Sequence, residues 1–134
     1  MTLKNNKFII TYGLDNKENE VIDKISNSKN FSSHKIIEKS MAGMKLKDII
    51  DESTNIIKAV KIPDEKIILF NNLTESELSS SMKEIKSGFL TSPIFAVVTQ
   101  TSVEWTFDYL INHLMQEREW FKKQQQQKKK LSMF

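Results

Sequence analysis

Cysteine is absent from this chain of 134 residues, and glycine and proline nearly so, at three and two. Without cysteine there is no disulfide, no thiolate metal ligand and no cysteine nucleophile, and the composition fits a reducing compartment. Gly13, Gly43 and Gly88 stand too far apart for a phosphate-cradling loop or a dinucleotide fingerprint. No apolar run approaches the length of a membrane span, and Met1-Thr2-Leu3-Lys4-Asn5-Asn6 lacks the apolar core of a signal peptide. A cytoplasmic protein without membrane contact is the expectation. Histidine is also scarce, with His34 and His113 alone. No Ser-His-Asp or Cys-His arrangement can be assembled, and the carboxylate pairs Asp51-Glu52 and Asp64-Glu65 sit in turns, where such pairs are normally solvated. No catalytic residue, cofactor or metal site is therefore assigned.

What is present suits one domain with a core of its own: 39% of residues are hydrophobic and 28% charged. The net charge of +3 is unevenly spread. Residues 116–134 carry Arg118, Lys122, Lys123, Lys128, Lys129 and Lys130 against Glu117 and Glu119, +6 − 2 = +4, leaving −1 for the rest. The body is near neutral and its end is basic.

The pattern of elements occurs twice. Phe8 to Asp15 reads like Ile67 to Thr74: an apolar run, a leucine, then a helix-capping residue. His34 to Glu38 parallels Phe95 to Thr99, and Met44 to Ile50 parallels Trp105 to Ile111. Strand, helix, strand and helix thus recur after about sixty residues. The predicted fold is α/β: a duplicated β-α-β-α unit forming a four-stranded, mainly parallel sheet with flanking helices and a long C-terminal helix. The expected domain covers residues 1–121, with half-repeats 7–50 and 66–111 and a basic, Gln/Lys-rich tail at 122–134. Two sheet arrangements are open, a continuous doubly wound sheet or a pseudo-two-fold one in which strand one meets strand three.

Local signals place the elements. Strands are expected at Lys7–Tyr12, Lys35–Lys39, Ile67–Phe70 and Ile94–Val98. The polar alternation of the second suggests an edge, and the five apolar residues of the fourth suggest burial on both faces. Capping boxes are expected at Asp15/Glu18, Thr74/Glu77 and Thr101/Glu104, the last opening the final helix. Gly88 is the expected helix stop. The final helix could reach about Lys130, roughly 40 Å, longer than so small a domain can cover.

The block Ser87-Gly88-Phe89-Leu90-Thr91-Ser92-Pro93-Ile94-Phe95-Ala96-Val97-Val98-Thr99-Gln100-Thr101-Ser102-Val103-Glu104-Trp105-Thr106-Phe107 resembles the signature of a bacterial family of uncharacterised proteins, domain-of-unknown-function family 3783. Met41 to Lys45 and Arg118 to Lys123 are also similar to its pattern, and Gln100 stands where the family pattern has a proline. The resemblance implies a small cytosolic protein and brings no activity or catalytic residue with it.

Two surfaces are candidates for function. The Thr99–Glu104 loop leaves a strand and enters a helix, where free N–H groups favour an anion. Thr99, Thr101, Ser102 and Glu104, with Trp105 and with Met44 and Lys45 from the matching loop, would line such a ligand site; plain helix capping and core packing explain the same residues without a ligand. Met44 and Lys45 can share a cleft with that loop only if strands two and four end on the same side. The other surface is the final helix. Trp120 and Phe121, with Leu114 on the same stripe and Leu131, Met133 and Phe134 beyond, suggest a homodimer interface. His113 and Glu117 are one turn apart, a spacing that also suits a solvated pair. The basic tail raises RNA as a further partner, less favoured than a solvated helix end whose cations suit the helix dipole. The leading expectation is a non-catalytic binding or regulatory module that self-associates, ahead of a small-anion binder or enzyme and an RNA-associated protein.

Overall fold

The structure, a computed structural model, describes residues 6–32, 34–51 and 62–132, with side chains as far as Gln124. Its elements run β1 (Phe8–Tyr12), α1 (Asn16–Ser28), β2 (Lys35–Ile37), a 3-10 turn (Lys39–Met41), α2 (Leu46–Ile50), β3 (Ile67–Asn71), α3 (Glu75–Gly88), β4 (Ile94–Val97), a second 3-10 turn (Ser102–Glu104) and α4 (Phe107–Ser132). Glu52 of the Asp51-Glu52 pair falls outside the described residues.

Two of the three capping boxes form. The Glu18 N–H donates to Asp15 Oδ1 at 2.8 Å, and the Asp15 N–H to Glu18 Oε1 at 3.0 Å. At α3 the Glu77 N–H donates to Thr74 Oγ1 at 3.2 Å, and the Thr74 N–H to Glu77 Oε1 at 2.9 Å. Each box satisfies two donors that a helix start leaves free. Each glutamate also meets a lysine from the other half of the chain: Lys66 Nζ lies 2.6 Å from Glu18, and Lys7 Nζ 3.0 Å from Glu77.

The strands form one mixed sheet in the order β2-β1-β3-β4. β1 pairs parallel with β2, and β3 parallel with β4, as strand–helix–strand connections favour. β1 and β3 lie antiparallel at the centre, with Ile10 opposite Leu69. Strand one therefore meets strand three, one of the two arrangements the sequence left open. Alternation along the central strands divides the core. Phe8, Ile10, Tyr12, Ile67 and Leu69 pack with Leu46, Phe107 and Ile111 of α2 and α4. Ile9, Ile68 and Phe70 pack with Ile22 and Ile25 of α1 and Ile85 of α3. Both central strands are covered on both faces, which is why each is a near-continuous apolar run.

Three expectations need correction. β4 is not buried on both faces; it is an edge strand, and Val97 is 48% exposed. Its strand neighbour is β3, on which Phe95 stacks against Phe70 with ring centroids 5.9 Å apart. Gly88 ends α3 as expected, but not through a left-handed conformation, because positive φ among the glycines occurs only at Gly13. It closes α3 as a packing residue, since a Cβ there would lie 3.3 Å from Val21 Cγ1 on α1. Finally, Thr101 caps no long helix. A three-residue 3-10 turn follows it, Trp105 is extended, and α4 starts at Phe107. From there α4 runs 26 residues to Ser132, crossing the expected tail boundary at 121/122 without a break.

The segments after β2 and β4 return over the α2/α4 face and join each other. The Leu46 N–H donates to the Trp105 carbonyl at 2.8 Å, and the Phe107 N–H to the Met44 carbonyl at 3.0 Å. Lys45 and Thr106 form an antiparallel bridge between these bonds. Backbone hydrogen bonds thus join the two halves in two places, once in the sheet and once above it.

Candidate functional site

The hydroxyls of Thr99 and Ser102 are spent on each other. The Thr99 N–H donates to Ser102 Oγ at 2.9 Å, and the Ser102 N–H to Thr99 Oγ1 at 3.0 Å. The Thr99 hydroxyl also donates to Ser102 Oγ at 3.1 Å. Thr99, not Thr101, thus caps the 3-10 turn, and Thr101 makes no side-chain cap bond. Reciprocal capping of this kind satisfies the turn internally and presents no convergent donor set to an anion.

β2 and β4 run in opposite directions and occupy opposite edges, so their carboxyl ends do not form one cleft. The Lys45–Thr106 bridge nonetheless brings part of the expected set together. Lys45 Nζ lies 3.9 Å from Glu104, and Lys47 Nζ 3.1 Å. Met44 is buried in the core. Trp105 packs edge-on against Tyr109 at 4.9 Å and against His113 at 5.1 Å. Met44 and Trp105 are therefore packing residues, and Glu104 is held between two exposed lysines, where such pairs contribute little.

The last helix divides at Arg118. Phe107, Leu110, Ile111 and Leu114 are buried against the sheet, and Leu114, at 8% exposure, belongs to the core of its own chain. Arg118 then makes a fork of two donations to Glu65, at 3.0 and 2.7 Å, fixing the helix to the segment ahead of β3. That partner holds the Glu65 carboxyl below its usual range. His113 Nε2 and Glu117 Oε1 are 2.8 Å apart, both partly exposed, and among the described residues no group of three potential ligands could hold a metal. Trp120 and Phe121 are each 57% exposed and touch edge-on, with centroids 5.1 Å apart. Trp120 borders a shallow groove of about 520 Å³ with Met115, Gln116 and Lys123. Lys128 to Lys130, Leu131, Met133 and Phe134 lie outside the residues whose side chains are described.

Residues 66–121 match the family model of DUF3783, a domain of unknown function. No curated protein and no solved structure matches the chain. The DUF3783 segment starts one residue before β3 and ends at Phe121. It includes the Thr99–Ser102 knot, Arg118 and the Trp120–Phe121 pair, and leaves out β1, α1 and β2.

Outside the DUF3783 segment stands a feature missed at sequence level. His34, just ahead of β2, buries its ring to 2% side-chain exposure. Its Nε2 lies 2.6 Å from Thr11 Oγ1 on β1, and its Nδ1 3.0 Å from Asp23 Oδ1 on α1. The Thr11 hydroxyl also reaches Asn19 Oδ1 at 3.3 Å. The four residues are spread over 24 positions (34 − 11 + 1), with no short spacing to give them away. Thr11 is 1% exposed, so this chain of groups offers no nucleophile to a substrate. A cleft of about 400 Å³ lies near the carboxyl ends of β1 and β2, lined by Tyr12, Ile37, Lys39, Asp64, Glu65 and Lys66. Its cations are already engaged, Lys39 by Asp64 at 2.9 Å and Lys66 by Glu18 at 2.6 Å. Burial pushes the Tyr12 phenol up, and its hydroxyl donates to the Pro63 carbonyl at 3.1 Å.

Proposed function

We propose that the protein is a non-catalytic binding module that self-associates as a homodimer through the outer part of α4. The observation that carries this is the adjacent pair Trp120 and Phe121, each 57% exposed on a helix that continues to Ser132. Packing back onto the domain would have hidden them. An aromatic side chain buries roughly 150–250 Å² when covered, so two from each of two copies supply a large part of a small interface. Leu114 adds nothing to that surface, being covered already.

The alternatives gain less support. The anion reading loses its donors to the Thr99–Ser102 knot. The RNA reading loses one of its six cations to Glu65. The lack of cysteine supports a cytoplasmic setting.

We read the two halves as copies of one unit. Lys7 and Lys66, Gly13 and Asn72, Asp15 and Thr74, and Glu18 and Glu77 serve matching roles at one spacing of 59 residues (66 − 7, 72 − 13, 74 − 15, 77 − 18). Superposing 7–50 on 66–111 tests that reading.

The dimer is tested by light scattering. Deletion of residues 120–134 is expected to halve the mass in solution, and Trp120→Ala with Phe121→Ala to do the same without shortening the chain. One mass for all three proteins would remove the proposal.

A further inference from the structure

The Asp23–His34–Thr11–Asn19 chain is a polar solution in a place where the same protein uses an apolar one. The matching positions hold Met82, Phe70 and Leu78, 59 residues on (82 − 23, 70 − 11, 78 − 19), and Phe95, 61 residues on (95 − 34), as the strand registers pair them. Phe70 is a member of the α1/α3 core, Leu78, Met82 and Phe95 pack on that core, and Phe95 stacks on Phe70 where His34 meets Thr11. That correspondence rests on reading the halves as copies; the distances and burial do not. The fold therefore does not require a polar network here. Replacing a buried polar network by apolar side chains is often neutral or stabilising, so stability alone does not account for this one.

We propose that His34 is a proton-operated latch that holds β2 to β1 and α1 while its ring is neutral and releases that edge when the ring takes a second proton. In the neutral ring, Nδ1–H donates to Asp23 and Nε2 accepts from the Thr11 hydroxyl. A second proton turns Nε2 into a donor. The Thr11 hydroxyl must then swing to Asn19, and a positive charge is left at 2% side-chain exposure. The charged groups around the ring are few. α1 contributes Asp23 and β1 only the neutral Thr11. The neighbour on β2, Lys35, sends its Nζ over the Phe8 ring, 5.5 Å from the centroid. Asp23 is the charged group bonded to the imidazole. Burial lowers the affinity of His34 for the proton, and Asp23 opposes this in part. The unfolded chain then binds the proton more readily, so the stabilisation is complete above the ordinary histidine value and is lost as pH falls through the lowered one.

What is released follows from position. β2 has three residues and pairs only with β1. Its approach is otherwise held by backbone bonds, from the Phe31 N–H to the Ser26 carbonyl at 2.8 Å and from the Ser32 N–H to the Lys7 carbonyl at 2.7 Å. So short an edge opens locally before the sheet does.

NMR on the full chain tests this, because the two histidines give separate imidazole signals. His34 is expected to titrate below the ordinary histidine value. Across that titration the β2 amides should lose hydrogen-exchange protection severalfold, while those of β4 keep theirs. Asp23→Asn, at a carboxylate 61% exposed, should move the loss to lower pH without harming the fold. A His34 that titrates at or above the ordinary histidine value, β2 protection that does not change with pH, or β2 and β4 losing protection together, would overturn the latch. None of these outcomes bears on whether the halves superpose.

Discussion

Gly13 and Asn72 each follow a central strand with the backbone in the left-handed region, at φ +78° and +61°. The turn after β1 uses the residue that tolerates this best, and the turn after β3 uses the next best. The difference has a local cause. A Cβ at Gly13 would sit 2.1 Å from the Glu65 carbonyl oxygen, so that position must be bare. Asn72 carries its Cβ in the corresponding turn. The two turns separate two demands that a glycine usually answers together: positive φ alone admits asparagine, and close backbone approach does not.

Substitutions can break or sharpen this comparison, and the widest gap should appear at those turns. Gly13→Ala is expected to cost about 3 kcal/mol from strain and collision together, while Asn72→Gly stays within about 0.5 kcal/mol. Urea denaturation of both proteins checks this, and equal losses would mean that the Glu65 carbonyl gives way. The capping residues come next. Asp15→Ala and Thr74→Ala should each cost about 1 kcal/mol, since each removes the same bond at a helix start. Thermal unfolding that separates them by much more would show unequal dependence on the two boxes. The smallest effect belongs to the α1/α3 contact. Ser81 is fully buried with no partner for its hydroxyl, where the first half has Ile22 (81 − 22 = 59). Ser81→Ala should raise the urea midpoint, by about 0.5–1 kcal/mol of stability.

Element types and order were legible because local chemistry dictates them. Asp15/Glu18 and Thr74/Glu77 announce helix starts that form as read. The apolar runs at Phe8 and Ile67 announce strands. The polar alternation of Lys35 to Lys39 identified an edge. β4 misled because an apolar run records burial wanted by its residues, and says nothing of which neighbours are present. Thr101 misled for a related reason. Thr99 could make the same reciprocal bonds with Ser102, and the chain took that pair. Of the candidate site, Trp120 and Phe121 were legible from helix length against domain size. The His34 chain was not, because it joins three elements at unrelated spacings, and only the fold brings them together.

The central ladder also sets a timetable. β1 needs β3, and Ile10 and Leu69 are 59 residues apart (69 − 10). A ribosome adding about 5–20 residues per second takes roughly 3–12 seconds to cover that distance. During that interval the nascent β1 has an unpaired flank whose proper neighbour has not yet been translated. The emerging first half therefore carries that open flank on each round of synthesis.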